Sequence, residues 1–152
     1  MPKRHLYRAS IHWDAGAGGG TGNYKSYSRE HVIRSEGKPE IVATSAFHSA
    51  AHYNPEDLLI AALSSCHMLW YLHFCSQHAI VVVKYEDNAE GAMIEDAAIG
   101  GKFERAMLRP RVTIAKGDRE KALALHHEAH RLCFIANSVN FPVDCEPKIE
   151  IV

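Results

Sequence analysis

Apolar and polar positions alternate closely over residues 3–13, where Leu6, Arg8, Ser10 and His12 interleave with Tyr7, Ala9, Ile11 and Trp13. A period of two predicts a half-buried strand. The glycine-rich run from Ala15 to Gly22 ends it. A phosphate-binding loop needs GxxxxGK[ST], or a G-x-G-x-x-G that opens a helix; neither condition holds, so the glycines read as a hairpin loop. The β-favouring residues Tyr24, Tyr27, Val32 and Ile33 predict a second strand over residues 24–33. A third, at 40–44, follows the turn at Gly37-Lys38-Pro39.

The period then changes. Asn54 is a favoured N-cap, Pro55 suits the first helical position, and Glu56 and Asp57 stand where the helix dipole favours negative charge. The helix should run to about Gln77. It is apolar on nearly every side from Leu58 to Phe74, which calls for a place inside the protein or between two subunits. Its longest apolar stretch, residues 58–72, is interrupted by Ser64, Ser65, Cys66 and His67 and falls short of the roughly 18–20 residues of a bilayer span. A core helix is expected, with no membrane partner. Beyond it the pattern predicts strands at 80–87 and 102–115, an irregular connection at 88–101, a second helix from Arg119 to about Asn137 capped by Asp118, and an alternating final strand at 147–152. The order βββ-α-ββ-α-β is an α+β arrangement in a single domain, 1–152.

A chain of 152 residues, 47% hydrophobic and 23% charged, can build its own core without disulfides. Its 17 basic and 18 acidic residues nearly cancel, which argues against a nucleic-acid partner or a polybasic membrane anchor. The first ten residues lack the apolar run and cleavage site of a secretory signal, so a cytoplasmic protein with reduced thiols is expected. The candidate chemistry then rests on four cysteines and eleven histidines.

Cys66 and Cys75 lie about 13.5 Å apart along one helix and about 180° apart around it, and cannot bond to each other. Cys66 sits among Ala61, Ala62, Ser64 and Ser65, where close approach is possible; Cys75 has aromatic neighbours and reads as packing. A thiol reacts as its thiolate, so Cys66 needs a partner that stabilises negative charge. Glu56 is about 15 Å away along the helix, so a shared site calls for contributions from two chains. On the second helix His126, His130 and Cys133 share a face. His127-Glu128-Ala129-His130 is one residue too short for a zinc-protease motif, and a closed structural zinc site would need a fourth ligand beyond His126, His130 and Cys133. The remaining reading is an amphipathic helix with solvated histidines. Cys145 reads as a surface or packing residue.

The stretch Asn54-Pro55-Glu56-Asp57-Leu58-Leu59, with Ala61-Ala62 and Cys66, and then Ala129-His130-Arg131-Leu132-Cys133, resembles the OsmC/Ohr family, the osmotically induced and organic hydroperoxide resistance proteins. The resemblance implies an intertwined α+β homodimer, with two central helices against curved antiparallel sheet. It implies a thiol peroxidase that reduces organic hydroperoxides to alcohols in oxidative-stress defence. Cys66 matches the peroxidatic cysteine, Cys133 the resolving cysteine, and Glu56 the residue that holds a catalytic arginine. No metal or organic cofactor is implied; the reductant is a dithiol such as a lipoylated protein. Two departures stand out. Cys133 is followed by Phe134-Ile135-Ala136-Asn137-Ser138 rather than by the family's usual proline and serine, and no arginine lies between Arg34 and Arg105. Arg29 is therefore the first candidate for the activating cation and Arg34 the second, with His48 or His52 as substitutes. The alternative function is a non-catalytic dimeric module that binds a small hydrophobic ligand or senses redox state.

Overall fold

The helix expected from Asn54 onward forms as α1, Pro55–Gln77, in a computed structural model that describes residues 1–152. Its start is fixed locally: Asn54 Oδ1 accepts the Asp57 amide at 2.8 Å, and Glu56 and Asp57 fill the first turn. At its end Ala79 turns left-handed, with φ 55°, and the Ile80 amide returns to the Cys75 carbonyl at 3.0 Å.

Three strands precede α1: β1 (Ser10–His12), β2 (His31–Arg34) and β3 (Ile41–Ala43). Four follow: β4 (Val81–Asp87), β5 (Glu90–Ile94), β6 (Lys102–Leu108) and β7 (Pro110–Lys116). Helix α2 (Arg119–Leu132) and strands β8 (Val143–Cys145) and β9 (Lys148–Ile151) complete the chain. The class is α+β, but the order is βββ-α-ββββ-α-ββ, which corrects the shorter order expected. The single run at 102–115 is two strands because Pro110 lacks an N–H and stands first in β7, where a strand tolerates it. β5 falls within the segment read as irregular; its Gly91 and Ala92 are weak strand formers. β8 has only three residues and leaves no period to detect.

The chain divides into two compact units, Met1–Leu58 and Leu59–Val152. In the first, β1, β2 and β3 form an antiparallel sheet in which Ile11 faces Ile33 and Val32 faces Val42. The glycine run is a hairpin loop, with Gly16, Gly19 and Gly20 at positive φ. Both flanking strands are shorter than expected. The carbonyls of Tyr24 and Tyr27 accept from the Arg29 side chain, and residues 24–27 turn rather than extend.

The second unit holds two three-stranded sheets, β4-β7-β9 and β5-β6-β8. β4 with β7 and β5 with β6 are antiparallel, whereas β7 with β9 and β6 with β8 are parallel, so the expected antiparallel sheet is mixed. Along α1 the buried residues are Leu63, His67, Tyr71 and Cys75, four apart and on one face. Leu63 packs with Ala106, Leu108 and Val143, whereas Tyr71 and Cys75 join Val112, Ile114, Leu125 and Ile149. Each such aliphatic side chain contributes about 1.5–3 kcal/mol by leaving water. Burial is confined to that stripe within one chain; Leu69, on another face, is 60% exposed. With 23 residues α1 also has the length and composition of a membrane span, longer than the interrupted stretch expected. Its buried stripe packed on the strands is nonetheless that of a core helix.

Helix α2 starts where Asp118 Oδ1 accepts the Lys121 amide at 2.6 Å. It stops five residues before the expected end, because Cys133 leaves helical geometry with ψ 111° and Asn137 Nδ2 donates to the Arg131 carbonyl at 3.1 Å. At Gly91 a Cβ would lie 2.5 Å from Ile60 Cδ1 and 2.7 Å from the Phe103 ring, so this strand position must be bare for α1 to approach. Gly91→Ala is expected to destabilise the protein by about 1–3 kcal/mol in urea unfolding, as overpacking does; an unchanged midpoint would refute that close approach.

Candidate active site

Cys66 precedes His67 of the buried stripe by one residue, about 100° around the helix, and is partly buried. Cys133 is the C-cap of α2 and is buried, with its Sγ accepting the Ala136 amide at 3.4 Å. The two thiols come close enough for Cys66 to act on the ionisation of Cys133. Burial pushes the Cys133 thiol up to about 11, the Ala136 amide opposes this, and the adjacent Cys66 adds to the rise. Cys133 therefore holds its proton at neutral pH. Cys75 lies in the core beside Tyr71, where burial raises its thiol above the ordinary range. The two cysteines singled out by the sequence come together, and the third stays apart as packing.

In the first unit Arg29 and Glu56 line one cavity of about 490 Å³, walled by Ile11, Trp13, Tyr27 and Phe47. Arg29 Nη1 donates to the Tyr27 carbonyl at 2.7 Å and Nη2 to the Tyr24 carbonyl at 2.6 Å, while the guanidinium lies 3.7 Å from the centre of the Tyr27 ring. The Glu56 Oε2 atom is buried and has no hydrogen-bond partner. Arg34 is held by Glu40. His48 bonds to Ser45, and His52 lies 3.8 Å from Glu30. Arg29 is the arginine that shares a cavity with Glu56.

His126, expected as a solvated histidine, turns into the core instead, while Cys133 turns to Cys66. His126 stacks on Tyr71 at 3.8 Å between ring centres, and its Nδ1 lies 3.0 Å from His67 Nε2. Cys145, read as a bystander, places its Sγ 3.7 Å from the same His67 nitrogen. Burial, with a smaller push from His130, lowers His67 to about 4 against a weak opposing effect of Asp87. Burial and the neighbouring His67 lower His126 to about 3. Burial, helped by Asp87 and Glu146, raises Cys145 to about 12. Sequence reasoning passed over His67 and Cys145. The signal for His67 was its place four residues from both Leu63 and Tyr71.

Residues 48–148 match the family described as OsmC-like protein. The chain belongs to the OsmC-like family. An OsmC-like protein of unknown function from Vibrio cholerae is 30% identical, superposes with a TM-score of 0.86, and covers 95% of this chain and 99% of its own. The OsmC-like fold extends to more distant proteins. An organic hydroperoxide resistance protein OsmC from Legionella pneumophila is 18% identical with a TM-score of 0.66, over 98% of this chain and 99% of that one. The organic hydroperoxide resistance protein OhrB of Bacillus subtilis is 21% identical with a TM-score of 0.61, over 97% and 98%. Among curated proteins none matches the sequence.

The thiol contact in this OsmC-like chain leads to a direct expectation. Mild oxidation with diamide should join Cys66 to Cys133 within one chain, read by mass spectrometry as a linked peptide pair and the loss of two titratable thiols. A dominant Cys66–Cys75 link would contradict the geometry.

Proposed function

We propose that this protein is a thiol peroxidase that reduces organic hydroperoxides to alcohols in oxidative-stress defence. The observation that carries the reading is the proximity of Cys66 and Cys133, two thiols brought together from different helices. The Cys66 thiolate attacks the distal oxygen of the hydroperoxide; the O–O bond breaks, the alkoxide takes a proton and leaves as alcohol, and the sulfur becomes a sulfenic acid. Cys133 gives up its proton, its sulfur displaces hydroxide, and water and a Cys66–Cys133 disulfide result. An external dithiol, such as a lipoylated protein, reopens the bond and is itself oxidised. The reaction is assigned to the cytoplasm, where such dithiols are maintained.

Glu56 and Arg29 are assigned to activation of Cys66. An unassisted cysteine is only a few per cent thiolate at pH 7, so a guanidinium beside the sulfur raises the reactive fraction. The unpartnered Glu56 oxygen and the shared cavity support Arg29 in that role, with Glu56 as the residue that orients it. The working unit is a homodimer. The apolar residues left exposed, Leu69 on α1 and Phe134 after α2, support burial against a second copy.

Cys66→Ser should abolish consumption of cumene hydroperoxide under a dithiol, and Arg29→Ala should lower kcat/KM about 10²-fold, while Arg34→Ala stays near the parent. Full activity in Cys66→Ser would end the peroxidase reading. The aromatic and aliphatic walls of the 490 Å³ cavity favour one other reading, a non-catalytic module for a small hydrophobic ligand. Tight binding of such a ligand without turnover by the parent protein would select it.

A further inference from the structure

Three elements of the second unit bring ligating atoms to one point: His67 from α1, His126 from α2 and Cys145 from the end of β8. Their Nε2, Nδ1 and Sγ atoms all lie within 4.8 Å of one another. A zinc ion held at about 2.0–2.1 Å from nitrogen and about 2.3 Å from sulfur sets tetrahedral edges of about 3.3 Å between nitrogens and about 3.6 Å from nitrogen to sulfur. The observed separations are 3.0 Å for His67 to His126 and 3.7 Å for His67 to Cys145. Shifts of a few tenths of an ångström bring these two edges to ideal length. We infer that His67, His126 and Cys145 form a binding site for a borderline-soft divalent cation, zinc being the plain case.

Two features besides the spacing support the site. His67 and His126 are almost wholly buried, at 0% and 3% exposure, and each turns one ring nitrogen toward the other and toward the sulfur. Two neutral imidazoles satisfy that facing pair only if one presents an N–H, whereas a cation takes the lone pairs of both. The site also opens on a cavity of about 290 Å³ lined by His126, His130, Asp144 and Cys145. The His130 Nδ1 atom is buried and lacks a hydrogen-bond partner. Three protein ligands and one position facing a cavity describe an open site rather than a closed structural one. On binding, the Cys145 thiol releases its proton to solvent and coordinates as thiolate, so one proton leaves for each ion bound.

The site is separate from the contact between Cys66 and Cys133 and does not depend on peroxidase activity. It also differs from the set of His126, His130 and Cys133 that the helical spacing singled out, because the cysteine comes from β8.

The test is a cobalt titration of the full-length chain after reduction and removal of metal with a chelator. One equivalent of Co²⁺ per chain should bind with a thiolate-to-cobalt charge-transfer band and visible bands of tetrahedral intensity, and one equivalent of Zn²⁺ should displace it. Cys145→Ser should lose the charge-transfer band, and His126→Gln should weaken binding at least tenfold. The double variant Cys66→Ser, Cys133→Ser should keep the full spectrum. Absence of stoichiometric binding by the parent protein overturns the inference whatever the variants do. So does a charge-transfer band that survives Cys145→Ser, or one lost in the double variant.

Discussion

Between Leu63 and Cys75 every fourth side chain of α1 leaves water, and strands of both sheets in the second unit close over that line. The rest of the unit follows from this burial. Leu63 and Tyr71 supply apolar area, but His67 in the same stripe brings a polar ring into the core, and such a ring is tolerated only in its neutral form with a partner. His126 meets it at 3.0 Å, which fixes the rotation of α2 as well as that of α1. The same contact brings Cys145, at the end of β8, to within 3.7 Å of His67.

Because successive residues of a helix are rotated by about 100°, the burial of His67 turns Cys66 to another face. That face meets the end of α2, where Cys133 has left helical geometry and is free to present its sulfur. The early stop of α2 is thus part of the site. Had the helix run on to Asn137, the Ala136 amide would be committed to the Leu132 carbonyl and could not reach the sulfur. The C-cap also gives the sulfur an amide donor from Ala136, which offsets part of the burial that otherwise holds its proton.

In the first unit a different economy operates. Arg29 is held by two backbone carbonyls and an aromatic face, so its charge is stabilised without a carboxylate. Glu56, at the first turn of α1, has the helix dipole to favour its charge but leaves a buried oxygen without a hydrogen bond. A buried carboxylate oxygen without a donor is costly, and here it lines the same cavity as the Arg29 guanidinium.

Much of the fold could be read along the chain wherever the determinant was local. Asn54 and Asp118 fix the helix starts by hydrogen bonds within three residues, and the period of two at the glycine hairpin survives in the pairing of β1 with β2. The link between Cys66 and the Asn-Pro-Glu motif was legible for the same reason, since both lie on one helix. What was not legible depended on contacts distant in sequence. The strands β5 and β8 exist because β6 supplies their ladders, and the parallel pairing of β6 with β8 and β7 with β9 leaves no mark in local periodicity. Cys145 looked inert because its histidine partner is 78 positions away on α1. The sequence by itself determined the helices, the family and the two cysteines that meet. Only the tertiary structure decided which histidines become neutral and paired and which arginine shares a cavity with Glu56, since burial and distance belong to the packed chain.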